Sequence, residues 1–299
     1  MAVQKRFVGI FFIIVILCFI AAVLIFPLDS SSPLMTVVMV TLLTCITSFI
    51  FGIATGDYSW TDRLWSTAPV GYAWIYAASA SWSPGSIFAA ILVTLWGARL
   101  TFNFSRRGGY TGSEDYRWPI LRKRIKNSVL WQAFHLLFIA FYQQALFIAF
   151  TLPLYVIAVQ DNQSISFTMI ISAAAMLAFL VLETRADQQQ YIFQQSKYGH
   201  RLRVRAYEED YKRGFLTTGL YEKTRHPNYL GELGVWWSIY FMGAFTSGSP
   251  LHWSIIGPIL LTLLFIGSTW FTESITSSKY QAYRLYQRRT WPIFPKFRE

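Results

Sequence analysis

The chain has 299 residues, of which 54% are hydrophobic and only 14% are charged. Soluble domains carry about a quarter charged residues, so this composition excludes an ordinary soluble protein. The net charge is +11, and the two cysteines, Cys18 and Cys45, are too few for a disulfide framework or a zinc site. Apolar runs long enough to cross a bilayer predict a polytopic helical membrane protein.

Eight apolar segments are predicted to cross the membrane as helices. The first follows Lys5 and Arg6, as in a signal peptide, but it is too long for a signal core and no clear cleavage site follows, so it is predicted to be retained. The third is short and rich in tryptophan and tyrosine, so an interfacial position is an alternative. The predicted fold class is an all-α integral membrane bundle of about seven or eight transmembrane helices. The segments are 7–26, 34–56, 68–82, 86–104, 131–158, 165–183, 229–247 and 252–271.

Lysine and arginine are concentrated on one side of this topology. They occur in the loops 57–67, 105–130 and 184–228 and in the tail 272–299, whereas the loops on the other side contain none. The positive-inside rule therefore predicts that both termini are cytoplasmic. Membrane anchoring alone would also explain such basic loops. Nucleic-acid binding is not expected, because the charges do not lie on a separate soluble module. The longest hydrophilic segment is too short to fold alone, so residues 1–299 are predicted to form one domain.

Two polar clusters lie near the ends of the second and fourth predicted spans. Asp62 stands beside Arg63 just before an apolar segment and is a candidate site residue, although a solvated loop acid with an interfacial tryptophan belt would give the same pattern. Arg99 lies inside an apolar span, where a guanidinium needs a partner or must reach the membrane surface. For Arg106 and Arg107, phosphate binding and a stop-transfer role both remain open.

A pair of acids marks the predicted end of the sixth span. Glu183 and Asp187 are four residues apart, so their carboxylates share one helix face. Acids at a helix C-terminus oppose the macrodipole, and a ribose hydroxyl, an amide or an arginine is expected to compensate them. An ion pair within the chain is the alternative interpretation.

The motif TRHPNYLGE, residues 224–232, joins a basic loop to the seventh predicted span. Polar residues at a membrane entry point are costly and usually have a function. Pro227 disfavours helix at the residue before it and suits the first helical turn, so the polar groups are predicted to cluster at a helix N-terminus, which favours phosphate. Asn228, Glu232 and Trp236 would then share one helix face.

The tail and three mid-span polar residues complete the candidates. Tyr283, Arg288 and Arg289 belong to a basic aromatic segment that fits either a membrane anchor or stacking and phosphate contacts. His135 is predicted to be a satisfied core histidine, and the glutamines at 143–144 are predicted to hydrogen-bond within the bundle. No paired metal-ligand spacing, Walker motif or dinucleotide glycine motif occurs.

Four stretches of the chain (219–221, 225–236, 183–188 and 283–295) resemble the steroid 5-alpha-reductase superfamily, most closely its uncharacterised bacterial branch. The resemblance covers residues 57–299 and is most specific over 180–299, whereas 1–56 lies outside it. Proteins of this group are multi-span reductases that bind NADPH in a cytosol-facing pocket and reduce an activated carbon–carbon double bond. The resemblance therefore implies such a cofactor pocket, a lipophilic substrate, contact with membrane lipid, no obligate protein partner and a bacterial inner-membrane location.

The resemblance also assigns roles to residues. Steroid reductases polarise the enone oxygen with a glutamine–glutamate pair; the matching stretch here contains Asp62, and Trp96 replaces a tyrosine. Both are implied to be catalytic, with Asp62 as the acid, and the departures argue against a steroid substrate. No metal is implied. The residues implied to bind the cofactor are Arg99, Arg106, Arg107, Asp187, Arg213, Arg225, His226, Asn228, Tyr229, Glu232, Trp236, Tyr283, Arg288 and Arg289.

Two other functions remain open at this stage. The sequence Arg-His-Pro-x-Tyr is similar to that of membrane methyltransferases acting on isoprenylated cysteine or phospholipids, in which the arginine–histidine loop and a later glutamate hold S-adenosylmethionine. Glu273 would fill the later position here. A non-enzymatic lipid- or sterol-binding membrane protein is the third hypothesis.

Overall fold

The computed structural model describes residues 2–26, 33–112, 114–160 and 164–295. Helices account for 78% of the structure, and the described residues contain no strand. A π-helical stretch, His135–Tyr142, joins two of the helices. The α-helices are α1 (Ala2–Ile25), α2 (Pro33–Thr55), α3 (Ala68–Ser79), α4 (Pro84–Arg106), α5 (Arg117–Arg124), α6 (Ser128–Phe134), α7 (Gln143–Ala158), α8 (Phe167–Lys197), α9 (Glu208–Arg213), α10 (Leu220–Lys223), α11 (Pro227–Thr246), α12 (Ile256–Lys279) and α13 (Tyr283–Arg289).

Six helical segments of the described chain are long and apolar enough to cross a membrane. They coincide with six of the eight predicted spans, and the chain is accordingly a multi-pass membrane protein. The segments are Arg6–Ile25, Pro33–Thr55, Pro84–Arg106, Ser128–Ala158, Phe167–Lys197 and Trp253–Lys279.

The other two predicted spans are helices in the structure, but they are not both long and apolar enough to be counted with these six. The helix α3 has 12 residues, whereas a perpendicular crossing needs about 20. The helix α11 has 20 residues, but it is less apolar because its first turns contain Asn228 and Glu232. The count of seven or eight spans stays a prediction.

Two helices continue well past the ends of their predicted spans. The sixth span was predicted to end at residue 183, but α8 continues to Lys197, so Glu183 and Asp187 lie within the helix. The predicted conflict between these acids and a helix C-terminus is therefore wrong. The helix α12 likewise continues to Lys279 and contains Glu273, which the sequence placed after the last span.

The chain divides into two compact units. The first unit comprises Met1–Ile170 and Tyr240–Gly257, and the second unit comprises Ile171–Ile239 and Pro258–Glu299. Compactness of this kind does not test independent folding, so the prediction of a single domain stays a prediction.

Buried polar side chains of the first unit hydrogen-bond to one another across helices. Gln144 of α7 accepts a hydrogen bond from Thr44 of α2 at 2.6 Å and donates one to Ser48 at 3.2 Å. Trp65 donates its indole N–H to Gln143 at 2.8 Å. The prediction that both glutamines hydrogen-bond within the bundle is therefore confirmed. His135 is also buried, as predicted for a core histidine.

Candidate functional site

In the second unit, α8 and α11 run antiparallel in close contact. A Cβ added at Gly231 would lie 2.5 Å from the Cβ of Glu183 and 2.9 Å from its Cα, so only glycine permits this approach. The contact places the next turn of α8 opposite the first turn of α11. There, Asn228 Nδ2 donates to Asp187 Oδ1 at 3.5 Å.

The helix α11 begins at Pro227, as the sequence predicted. Glu232 and Trp236 are both buried, and Trp236 Nε1 donates to Glu232 Oε1 at 3.1 Å. This contact confirms that they share one helix face. Tyr229 stacks on His226 with ring centroids 4.9 Å apart. Two carboxylates, an amide and an indole are therefore grouped where α8 meets α11.

Arg225 and His226, just before α11, both contact Glu273 of α12. Arg225 donates to its carboxylate through Nε at 2.6 Å and Nη2 at 2.9 Å, and the carboxylate also contacts His226 Nε2 at 2.9 Å. Gln287 of α13 donates to Glu273 Oε2 at 2.8 Å. The remaining Nη1 of Arg225 donates to the carbonyl oxygens of Gln287 and Thr290. All three nitrogens of the Arg225 guanidinium thus donate to protein groups.

The same motif holds the C-terminal segment by its backbone. The N–H groups of Arg225 and His226 donate to the carbonyl oxygens of Trp291 and Pro292, each at 2.9 Å. Thr224 Oγ1 donates to the carbonyl oxygen of Ile293 at 2.8 Å. The motif singled out in the sequence therefore fastens the tail to the second unit as well as starting α11.

A cleft of about 420 Å³ lies between α9, α10 and α13 of the second unit. Arg213 and Arg289, two of the predicted cofactor ligands, line it, whereas Arg288 does not. Tyr283, the first residue of α13, is buried, and burial raises the pKa of its hydroxyl. The residues lining the cleft are Arg213, Phe215, Thr217, Glu222, Lys223, Ala282, Leu285, Tyr286, Arg289 and Thr290.

The remaining candidates lie in the first unit. Trp96 is fully buried in α4, and Arg99 one turn later is half-buried. Arg106 donates through Nε and Nη2 to Asn103 Oδ1, at 2.9 and 2.7 Å, whereas Arg107 is exposed. The catalytic role of Trp96 and the cofactor role of the three arginines stay predictions.

Asp62 is buried in a 3-10 turn before α3, and Trp118 Nε1 donates to its Oδ2 at 2.7 Å. Burial raises the pKa of Asp62 to about 6, partly offset by the nearby guanidinium of Arg117. Arg63, fully buried, pairs with Asp57 at 2.6 Å. The interpretation of Asp62 as a solvated loop acid is therefore wrong, and Asp57 is the acid that neutralises Arg63.

Comparisons with known proteins place the chain in a family. A family model described as protein of unknown function (DUF1295) matches residues 48–290. The chain belongs to this family. An uncharacterised protein of Schizosaccharomyces pombe, C594.04c, is 34% identical over 268 residues, which are 83% of this chain and 78% of that protein. No solved structure matches the chain.

Membership of DUF1295 refines two expectations from the sequence. The match begins at residue 48, close to the predicted start of the resemblance at 57, and leaves α1 outside. A fungal relative has the same kind of sequence, so membership does not itself indicate a bacterial membrane.

Three site residues, Asp57, Lys223 and Gln287, are not predicted by the sequence. The sequence favours Asp62 because it directly precedes Arg63, whereas a loop and a 3-10 turn bring Asp57 to Arg63. In sequence Lys223 is one more charge of a basic loop, and only the fold places it in the same cleft as Arg289. Gln287 gave no signal in the sequence, although it follows Tyr286 of the aromatic tail.

Proposed function

We propose that this DUF1295 protein is an integral-membrane reductase that uses NADPH to reduce an activated carbon–carbon double bond in a lipophilic substrate. The resemblance of residues 225–236 to the steroid 5-alpha-reductase superfamily supports the proposal, as does the family match across that region. A lipophilic substrate is consistent with a multi-pass chain, because such a molecule reaches the protein through the bilayer.

The observation that carries the proposal is the grouping of Asp187, Asn228 and Glu232 where α8 meets α11. Ribose hydroxyls donate to carboxylates, and the carboxamide of nicotinamide pairs with an amide or a carboxylate, so these side chains fit the polar parts of a dinucleotide. Asp187 and Glu232 are both buried, where water competes least for such hydrogen bonds.

The residues have distinct proposed roles. Asp187 and Glu232 would accept hydrogen bonds from ribose, and Asn228 would orient the cofactor from the first turn of α11. NADPH, when bound, supplies the hydride for the β-carbon of the double bond. The acid that the resemblance implies for the α-carbon is Asp62, and burial raises its pKa to about 6, so about a tenth of it is protonated at pH 7.

One contact favours a second candidate, an S-adenosylmethionine-dependent membrane methyltransferase. That function requires the arginine–histidine loop to meet a later glutamate, and Arg225 and His226 both contact Glu273. In this arrangement, however, the carboxylate and guanidinium satisfy each other and hold the tail. The reductase therefore remains the first proposal.

Ligand-dependent thermal stability separates the two functions. The full chain in detergent is heated with NADPH, with S-adenosylmethionine or with neither, and tryptophan fluorescence follows unfolding. We expect stabilisation by NADPH alone, because a ligand that binds only the folded state raises its stability. Stabilisation by S-adenosylmethionine alone would select the methyltransferase, and stabilisation only by added lipid would select a lipid-binding protein.

Substitutions then test the site. Asn228→Ala and Glu232→Gln should each weaken NADPH binding about tenfold or more, since a hydrogen bond to a charged group contributes ~1.5–3 kcal/mol. Glu209→Gln is the matched control, because Glu209 is an exposed acid of the same unit. Unchanged affinity in both site variants would overturn the assignment.

A further inference from the structure

The cleft between α9, α10 and α13 has an excess of positive charge. Three cationic side chains line it, from Arg213, Lys223 and Arg289, but only one acid does, Glu222. Lys223 and Arg289 are exposed, and neither has an ion-pair partner among the residues that the structure describes. Like charges repel one another, so their convergence is unfavourable unless an anion compensates it.

The third cation is held in place by the wall of the cleft. Arg213 Nη1 donates to Thr217 Oγ1 at 3.1 Å and lies 3.8 Å from the buried carboxylate of Asp210. Thr217 in turn donates to Asp210 Oδ1 at 2.5 Å. The guanidinium is thus oriented before any ligand arrives, which lowers the entropy lost on binding.

The opposite wall is fixed as well. Tyr286 donates its hydroxyl to the carbonyl oxygen of Tyr221, and its ring stacks on Phe215 with centroids 5.8 Å apart. Tyr221 donates its own hydroxyl to the carbonyl oxygen of Ala186 at 3.3 Å. Ala186 directly precedes Asp187 in α8. Hydrogen bonds through Tyr221 therefore connect the cleft with the turn of α8 that carries the Asp187 carboxylate.

We propose that this cleft binds a phosphate group. Guanidinium and ammonium groups recognise phosphate through charge-assisted hydrogen bonds, and Arg213, Lys223 and Arg289 supply such groups here. Two molecules can supply the phosphate. One is NADPH, whose 2′-phosphate distinguishes it from NADH, and this source rests on the proposed function. The other is the headgroup of an anionic lipid such as phosphatidic acid.

Two arginines of α13 provide a matched pair for the test. Arg289 lines the cleft and Arg284 does not, although both are exposed residues of the same helix. The full chain in detergent, as wild type, Arg289→Gln, Lys223→Gln and Arg284→Gln, is titrated with NADPH and with NADH. The same proteins are also mixed with phosphatidylcholine vesicles that contain or lack phosphatidic acid.

We expect Arg289→Gln and Lys223→Gln to lose about five- to tenfold in affinity for one phosphate source, with Arg284→Gln unchanged. A loss for NADPH but not NADH identifies the cofactor phosphate, whereas a loss confined to phosphatidic acid vesicles identifies a lipid headgroup; either supports the site. Equal affinities for both sources in all four proteins would overturn it. If wild type binds no nucleotide, the proposed function fails, and the vesicle comparison alone still decides the cleft.

Discussion

Replacing Glu273 with glutamine should destabilise the second unit strongly. The carboxylate accepts two hydrogen bonds from Arg225, at 2.6 and 2.9 Å, and others from His226 and Gln287. The side chains of Arg225 and Glu273 are each only 8% exposed, so the substitution leaves a buried guanidinium without its counter-charge. Removing one partner of a buried pair costs ~3–5 kcal/mol. Because Arg225 Nη1 keeps its bonds to Gln287 and Thr290, we expect about 3 kcal/mol.

The assay is unfolding of the full chain in mixed micelles with an increasing fraction of SDS, followed by tryptophan fluorescence. A double-mutant cycle with Arg225→Gln isolates the pair, and its coupling energy should reach about 2 kcal/mol. Glu209→Gln is the control, since Glu209 is 66% exposed and its pair with Lys212 contributes little. A cost for Glu273→Gln no larger than that of the control would refute the reasoning.

Two further predictions concern Asp62 and Gly231. Burial raises the pKa of Asp62 from 3.8 to about 6, so its contribution to stability is complete below pH 4 and falls by ~3 kcal/mol as pH rises through 6. The stability of Asp62→Asn relative to wild type should therefore increase by about 2 kcal/mol between pH 4 and pH 7, and a flat difference would contradict it. Gly231→Ala should lower the unfolding midpoint, because its Cβ would collide with Glu183, whereas Gly267→Ala, in open space on α12, should leave it unchanged or raised. Equal midpoints for the two variants would contradict the close contact of α8 and α11.

Much of the fold follows from local rules. Pro227 predicts where α11 begins, because proline acts on its own residue and the one before it. The face shared by Glu232 and Trp236 follows from the period of the helix once that start is known. The apolar spans follow similarly from a composition that only a bilayer accommodates.

Other features depended on tertiary structure. Hydropathy changes where the bilayer ends, not where the helix ends, so the span ending at 183 gave no sign that α8 continues to Lys197. The residues after Asp187 are largely glutamine, which favours helix but carries no apolar period. Arg288 and Arg289 are indistinguishable in sequence, and only the direction in which α13 packs makes one of them a wall of the cleft.

The length of α8 sets how far the Asp187 carboxylate lies from the hydrocarbon layer of the bilayer. Its 31 residues span roughly 46 Å, whereas the hydrocarbon layer is about 30 Å thick, so about three turns stand outside that layer if the helix is upright. Asp187 lies in the polar C-terminal part of α8, so its position depends on the number of helical residues before it rather than on a loop. One residue inserted among the apolar turns would lift Asp187 by about 1.5 Å and rotate it by about 100° away from Asn228. The number of residues in α8 thus sets both the depth of the Asp187 carboxylate relative to the bilayer and the direction in which it points.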